Sequence, residues 1–368
     1  MQQDKVKVQL SGMPASILGC LWGRAQLSKE YSSLFYDEKA VELVEKIDYA
    51  PDFSASDVPP FEDIMVNVFF SRKINQTGFG LFTLRAKQFD DKIKAYISEH
   101  PHASTVNIAA GLDTTFYRVD NGLIHWYDLD LPAVIDIRRQ LLPEPDRVTY
   151  IAKSLLDPSW CEDIKHTEDG VFMIAGGVLH SFEESQIKQF FSMLAEKFPD
   201  GEIVFDAMSR LGGGFRARID MFPPEHRDAM RAALVGALKD WWEKALKDWW
   251  EKAPQDQKDK VNDMIATLKT PTKPKGKEWS DLEAWWEQLS DTEKEEAVRD
   301  LMTAFRGGVG MWTLEDVNEF TEWDSRITVI DQLPLYRNIP RDSVSADMRR
   351  LMDYSDENGG SNIIHLRV

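Results

Sequence analysis

The sequence predicts an α/β fold: a mainly parallel sheet with helices on both faces. Three observations carry this. Between residues 106 and 207, short apolar runs of strand length alternate with segments of helical spacing, the pattern that successive βαβ units leave. The first run, Val106–Ala110, ends in Gly111, where a chain can turn sharply and leave no side chain in the way of a ligand. The second run ends in Asp128 and Asp130, and Asp130 lies nineteen positions after Gly111. In doubly wound sheets a Gly-bearing first turn lets backbone approach a nucleoside, and an acid about 20 residues on binds the ribose hydroxyls. The turn here has one glycine and no GxGxxG, so the spacing alone is a weak signal.

Taken in order, residues 13–47 read as helices, with Ile17, Leu18, Leu21 and Trp22 and then Ala40, Val41, Leu43 and Val44 at helical spacing. The stretch 48–60, containing PDFSASDVPP, is a loop by composition. A helix covers about 81–100. Strands are expected at Val106–Ala110, Leu123–Asp130, Arg147–Ser154, Val171–Gly177 and Glu202–Ala207, with a helix over Glu183–Phe198 marked by Ile187, Phe190, Phe191 and Leu194. After Arg306 come a helix over Leu314–Trp323, a strand Ile327–Leu335, a helix near Ser343–Met352 and a last strand Ile363–Val368.

Composition narrows the function. A chain of 368 residues with 43% hydrophobic content holds a full core. The 62 acids against 44 bases give a formal charge of −18, a surface that repels phosphate backbones, so no nucleic acid or anionic membrane is expected as partner. Cys20 and Cys161 are far apart and lack metal-ligand spacing, which suits idle or buried thiols in a reducing compartment. No apolar leader and no run of about 18 apolar residues occurs. The expectation is a cytoplasmic protein without a metal.

The wording of the central motifs is specific. AAGLDTTFYR followed by WYDLDLPAVIDIRR resembles the leucine carboxyl methyltransferase family, which includes bacterial S-adenosylmethionine-dependent O-methyltransferases of the polyketide-biosynthesis type. The resemblance spans roughly 10–220 and 306–368. It implies a class I methyltransferase (Rossmann-like) fold: a seven-stranded sheet with N-terminal helices, closed by a late strand pair. It also implies S-adenosylmethionine as cofactor. On this reading 1–100 is an N-terminal helical cap, 101–222 and 306–368 the methyltransferase core, and 223–305 a helical insert after strand five.

The resemblance also suggests site residues. It places Ala109, Gly111 and Asp130 in the adenosine cradle, with Asp128 as a second candidate for the ribose. Asp113 is expected to bind backbone in the turn after Gly111. Arg85 is expected to present its fork to the methionine carboxylate; Arg24 either helps there or makes a surface salt bridge. Ser154 and Leu155 stand where the family has Asp-Leu, and Gly176 stands where it has a glutamate, so two acidic contacts to the cofactor are replaced. His180 and Ser181, just past the fourth strand, are the candidates for catalysis, His180 as general base because imidazole titrates near neutrality.

The insert has no place in the nucleotide-binding pattern. ALKDWWEK occurs twice in tandem, at 237–244 and 245–252, with a relative, LEAWWEQL, at 282–289. Seven of the twelve tryptophans fall within 223–305. Three readings stay open: a lid over an apolar acceptor, a self-packed decoration, or a face for a homodimer. The function expected is O-methylation of a carboxyl or hydroxyl group on a small-molecule acceptor. The alternatives are a protein carboxyl methyltransferase and a non-catalytic cofactor-binding module whose insert recruits a partner.

Overall fold

The computed structural model describes residues 5–6, 16–47, 83–208, 250–251, 255–268, 270–290, 292–294, 297, 312–314, 316–357 and 361–368. The PDFSASDVPP loop and all of the tandem repeat except Trp250 and Glu251 lie outside these residues. The chain divides into two compact units, one of residues 1–51, 72–212 and 312–368, the other of residues 52–71 and 213–311.

The first unit contains a seven-stranded sheet: β1 Ser104–Ile108, β2 His125–Asp130, β3 Val148–Ala152, β4 Val171–Ala175, β5 Glu202–Met208, β6 Thr328–Pro334 and β7 Ser361–Arg367. Its order is β3-β2-β1-β4-β5-β7-β6. The strands from β1 to β5 pair in parallel, and β7 runs antiparallel between β5 and β6. Seven strands, five of them parallel, fit the expected α/β class. β1 has β2 on one side and β4 on the other, so the strand order reverses there, and such a reversal opens a crevice at the carboxyl ends.

Strand alternation sorts the two faces. Val106, Ile108, Leu129, Met173, Ile203, Phe205 and Leu366 join one buried cluster. It is covered by the inward face of α6 (Glu184–Lys197), through Ile187, Phe190, Phe191 and Leu194. That helix starts on a capping box, in which Glu183 and Gln186 exchange side-chain bonds with each other's backbone N–H. The alternate residues include the buried polar groups Thr105, Asn107, Asp128 and Asp206. Near this face lies α3 (Arg85–Glu99). The helices α1 (Ser16–Glu30) and α2 (Glu38–Lys46) share a cluster with Leu112 and Leu141, which ties the N-terminal helices to the turn after β1. The other α-helices among the described residues of this unit are α4 (Phe116–Val119), α5 (Pro132–Leu141), α9 (Glu319–Trp323) and α10 (Ala346–Glu357).

Element ends differ from expectation for local reasons. β1 stops at Ile108 because Ala109 takes a left-handed φ of 56°, which a ladder cannot accommodate. β2 begins at His125 because the Asn121 side-chain oxygen accepts the N–H groups of Leu123 and Ile124, holding them in a turn. β4 stops before the glycines, with Gly177 at φ 70°.

In the second unit, α7 (Gln255–Thr267) and α8 (Trp279–Gln288) are described. The LEAWWEQL segment forms most of α8 and buries Trp285 and Trp286, each 3% exposed. Trp285 Nε1 donates to the Thr272 carbonyl at 2.9 Å, and the Trp279 ring lies 6.0 Å from that of Trp250. Trp285 and Trp286 are therefore interior, and offer no exposed aromatic patch.

Candidate active site

The carboxyl ends of β1 to β4 border a cavity of about 400 Å³ within the first unit. Two left-handed residues shape its floor. Ala109 and Gly111, at φ 56° and 52°, turn the chain back on itself directly after β1. A Cβ on Gly111 would meet Ile17 Cγ2 at 3.0 Å, so the turn needs glycine for conformation and for space alike.

Asp130 closes this turn. Its Oδ2 accepts the Gly111 N–H and its Oδ1 accepts the Leu131 N–H, each at 2.7 Å. Burial pushes its carboxyl up, while those two N–H groups oppose the shift. The residue at the tip of β2 therefore braces the turn and also borders the cavity.

Asp128, the second candidate for the ribose, is engaged by other side chains. It is fully buried and is not among the residues that line the cavity. Its oxygens accept Arg138 Nη2 at 2.5 Å, Trp126 Nε1 at 2.9 Å and Asn107 Nδ2 at 3.0 Å. Arg138, from α5, then reaches beneath the turn, donating through Nη1 to the carbonyls of Gly111 and Asp113 at 3.0 and 2.8 Å. The motif WYDLDLPAVIDIRR thus contains its own scaffold: an acid and an arginine ten residues apart that fix the underside of the turn. Sequence reasoning missed Arg138, although the arginine pair stands in the quoted motif.

Asp113 binds the turn backbone, as the sequence suggests: Oδ2 accepts the Thr115 N–H at 3.0 Å. Burial alone would raise its pKa, but the Arg24 and Arg118 charges and the Thr115 bonds outweigh it and bring it down to about 2. A carboxyl depressed below its unfolded value of 3.8 adds stability above about pH 4 and loses it as pH falls through 2. The expected result is a steeper loss of stability between pH 4 and pH 2 in the parent than in Asp113→Asn, read from urea midpoints. Parallel pH profiles would show that this carboxyl is not held down.

Arg24 is no surface residue. It is 7% exposed, its Nε donates to Asp37 at 3.2 Å, its Nη2 donates to the Leu112 carbonyl at 2.8 Å, and Asp113 lies 3.8 Å from Nη1. It also borders the cavity. Asp37 in turn accepts Thr114 Oγ1 and Arg118, and caps α2 through the Ala40 N–H. The surface salt bridge read as one alternative is replaced by a buried network joining α1, α2 and the turn.

Arg85, Ser154, Leu155, Gly176 and Ser181 all border the cavity. His180 does not, so the structure brings Ser181 to the site and leaves the expected base outside the lining. Ser154 Oγ accepts the Leu156 N–H at 3.2 Å and shapes its own turn. At Gly176 a Cβ would fall 2.8 Å from Phe89 Cε2: the ring of Phe89 takes the room that a side chain there would need. Gly176→Ala is expected to destabilise by about 1–3 kcal/mol, since Phe89 is held in a packed interior, and Phe89→Leu should recover part of the loss. Unchanged urea midpoints would mean that the ring yields freely. Cys20, a free thiol, also lines the cavity. Elsewhere, exposed ligand atoms of His166, Glu168 and Asp169 lie within 4.8 Å of one another, a grouping the linear spacing did not suggest and one common on acidic surfaces.

The residues fit S-adenosylmethionine. The cavity is lined by a bare backbone turn with Asp130, by Arg24 bonded to that turn at Leu112, and by Arg85 beside Gly177. An adenosine needs the turn and the acid, and an amino-acid carboxylate needs a guanidinium. The strand order is that of the class I methyltransferase fold.

The comparisons agree. Residues 17–169 match the model of the family described as leucine carboxyl methyltransferase, so the resemblance read from the motifs holds over that segment. The chain is 25% identical over 202 residues to the tetracenomycin polyketide synthesis O-methyltransferase TcmP of Streptomyces glaucescens, covering 55% of this chain and 68% of that protein. It is 26% identical over 218 residues to the S-adenosyl-L-methionine-dependent methyltransferase dpfgK of Gibberella zeae, covering 55% and 69%. Among solved structures, PKMT2 from Rickettsia typhi in complex with AdoHcy superposes with a TM-score of 0.37 at 13% identity. That match covers 73% of this chain and 49% of PKMT2, so the chain spans about half of that structure's length. Over residues 17–169 the chain is thus similar to a methyltransferase family, and both relatives are named as methyltransferases, one of them S-adenosyl-L-methionine-dependent.

Proposed function

We propose that the protein moves the methyl group of S-adenosylmethionine onto a carboxyl or hydroxyl oxygen of a small molecule. One observation carries the reading: the cavity at the reversal of the strand order joins a nucleoside cradle to an apolar wall. Ile17, Phe89, Val178 and Phe182 contribute to that wall, with the Ser181 hydroxyl at the same exit from β4.

Methyl transfer from a sulfonium is an in-line displacement, so the site chiefly has to align two partners in a dry space. A carboxylate acceptor needs no base, whereas a phenol or alcohol gains from one. His180 itself is not in the lining, although Val178, Ser181 and Phe182 around it are, which favours a carboxylate acceptor over one that needs a base. The O-methyltransferase named among the relatives, at 25% identity, points the same way.

The test is release of S-adenosylhomocysteine by the full chain against a panel of aromatic carboxylic acids, fatty acids and phenols. Turnover on any of them supports the enzyme. Binding of S-adenosylmethionine without turnover, on this panel and on peptides ending in a free carboxylate, supports the second reading, a non-catalytic binding module. Gly176 and Ser154, in place of the family's acids, are what favour that module.

A further inference from the structure

We propose that Asp206 is the positioning residue for Arg85, and that the Arg85–Asp206 pair, seated on Gly177, selects the amino-acid end of the cofactor. The inference rests on the methyltransferase reading above and names a residue that neither the motifs nor the resemblance pointed to.

Asp206 lies near the carboxyl end of β5. Its neighbours Phe205 and Ala207 join the apolar cluster under α6, so alternation turns Asp206 to the other face of the sheet. It is 6% exposed. A carboxylate there is costly without partners, and it has two: Oδ2 accepts Arg85 Nη1 at 3.1 Å and Oδ1 accepts the Gly177 N–H at 2.5 Å. One side chain thus links the start of α3 to the turn that leaves β4.

Gly177 completes the seat. With φ at 70°, it brings bare backbone against the guanidinium, and a Cβ there would fall 2.5 Å from Arg85 Nη2 and 2.9 Å from Cζ. Arg85 and Gly177 border the cavity, whereas Asp206 is not in its lining. Asp206 therefore acts through Arg85. It limits the freedom of a long side chain in advance, so that less ordering is left for the binding step. Its negative charge also offsets the guanidinium at a site that must receive a sulfonium and an ammonium together with a carboxylate.

The experiment compares two ligands on the full chain by calorimetry: S-adenosylhomocysteine, which has the amino-acid end, and 5′-methylthioadenosine, which lacks it. Asp206→Asn is expected to weaken S-adenosylhomocysteine by about ten-fold while leaving 5′-methylthioadenosine within about two-fold. In an Arg85→Ala background, Asp206→Asn should add little, because the two changes remove one interaction. An equal loss for both ligands, or additive losses in the double variant, overturns the inference by showing a merely structural role. If Asp206→Asn does not fold, Asp206→Glu serves in its place: it keeps the charge but displaces it, and the same selective loss is expected. If the parent chain binds neither ligand, the methyltransferase reading itself fails, and this inference with it.

Discussion

Arg138→Met is expected to cost about 3–5 kcal/mol in folding stability, the range for removing one partner of a buried ion pair. The guanidinium is 2% exposed and serves three acceptors: the Asp128 carboxylate and the carbonyls of Gly111 and Asp113. Methionine fills part of the volume but leaves Asp128 charged in a dry interior, with the Trp126 and Asn107 side chains still donating to it. It also frees two carbonyls beneath the cradle. Urea unfolding monitored by tryptophan fluorescence should show the loss. The double change Arg138→Met with Asp128→Leu should recover part of it, because the stranded charge is gone. A single variant as stable as the parent would mean that the turn supports itself.

Asp130→Ala is expected to weaken S-adenosylmethionine binding by about ten-fold or more, and to loosen the turn that receives the ligand. The two effects separate by measurement. Loss of a ribose contact alone lowers affinity and leaves the free protein unaltered. Loss of the brace also speeds exchange of the Gly111 amide hydrogen, whose acceptor in the structure is the Asp130 carboxylate. Unchanged affinity in a calorimetric titration would remove Asp130 from the site altogether.

The strands were legible because each carries a short apolar run between turn-forming residues, and that signal survives without any knowledge of neighbours. Their ends were not, because they are set by torsions and by side chains that cap backbone. Nothing in an alanine announces that Ala109 adopts φ 56°. Asp128 and Asp130 looked alike because they share one side of β2; only the position of Arg138, one helix further on, makes the first of them scaffold. Arg85 was readable through the resemblance, and Asp206 was not, since its part depends on β4 and β5 lying side by side with Ala175 opposite Phe205. Gly176 was visible as a departure from the family's glutamate, but its physical counterpart, the ring of Phe89 from a helix far earlier in the chain, needed the fold.

The place of β7 has a consequence for how the molecule is made. A ribosome releases β1 to β5 early, and each of β2 to β5 can pair with a strand already present. β6 is different: its ladder partner is β7, which is the last strand synthesised yet sits inside the sheet, between β5 and β6. Until residues 361–367 emerge, one flank of β5 and one flank of β6 lack the partner they have in the finished sheet. Unpaired strand edges of this kind recruit other chains. The nascent protein therefore passes through an interval, covering synthesis from Met208 to Arg367, in which the nucleoside cradle can already exist while the sheet behind it is still open.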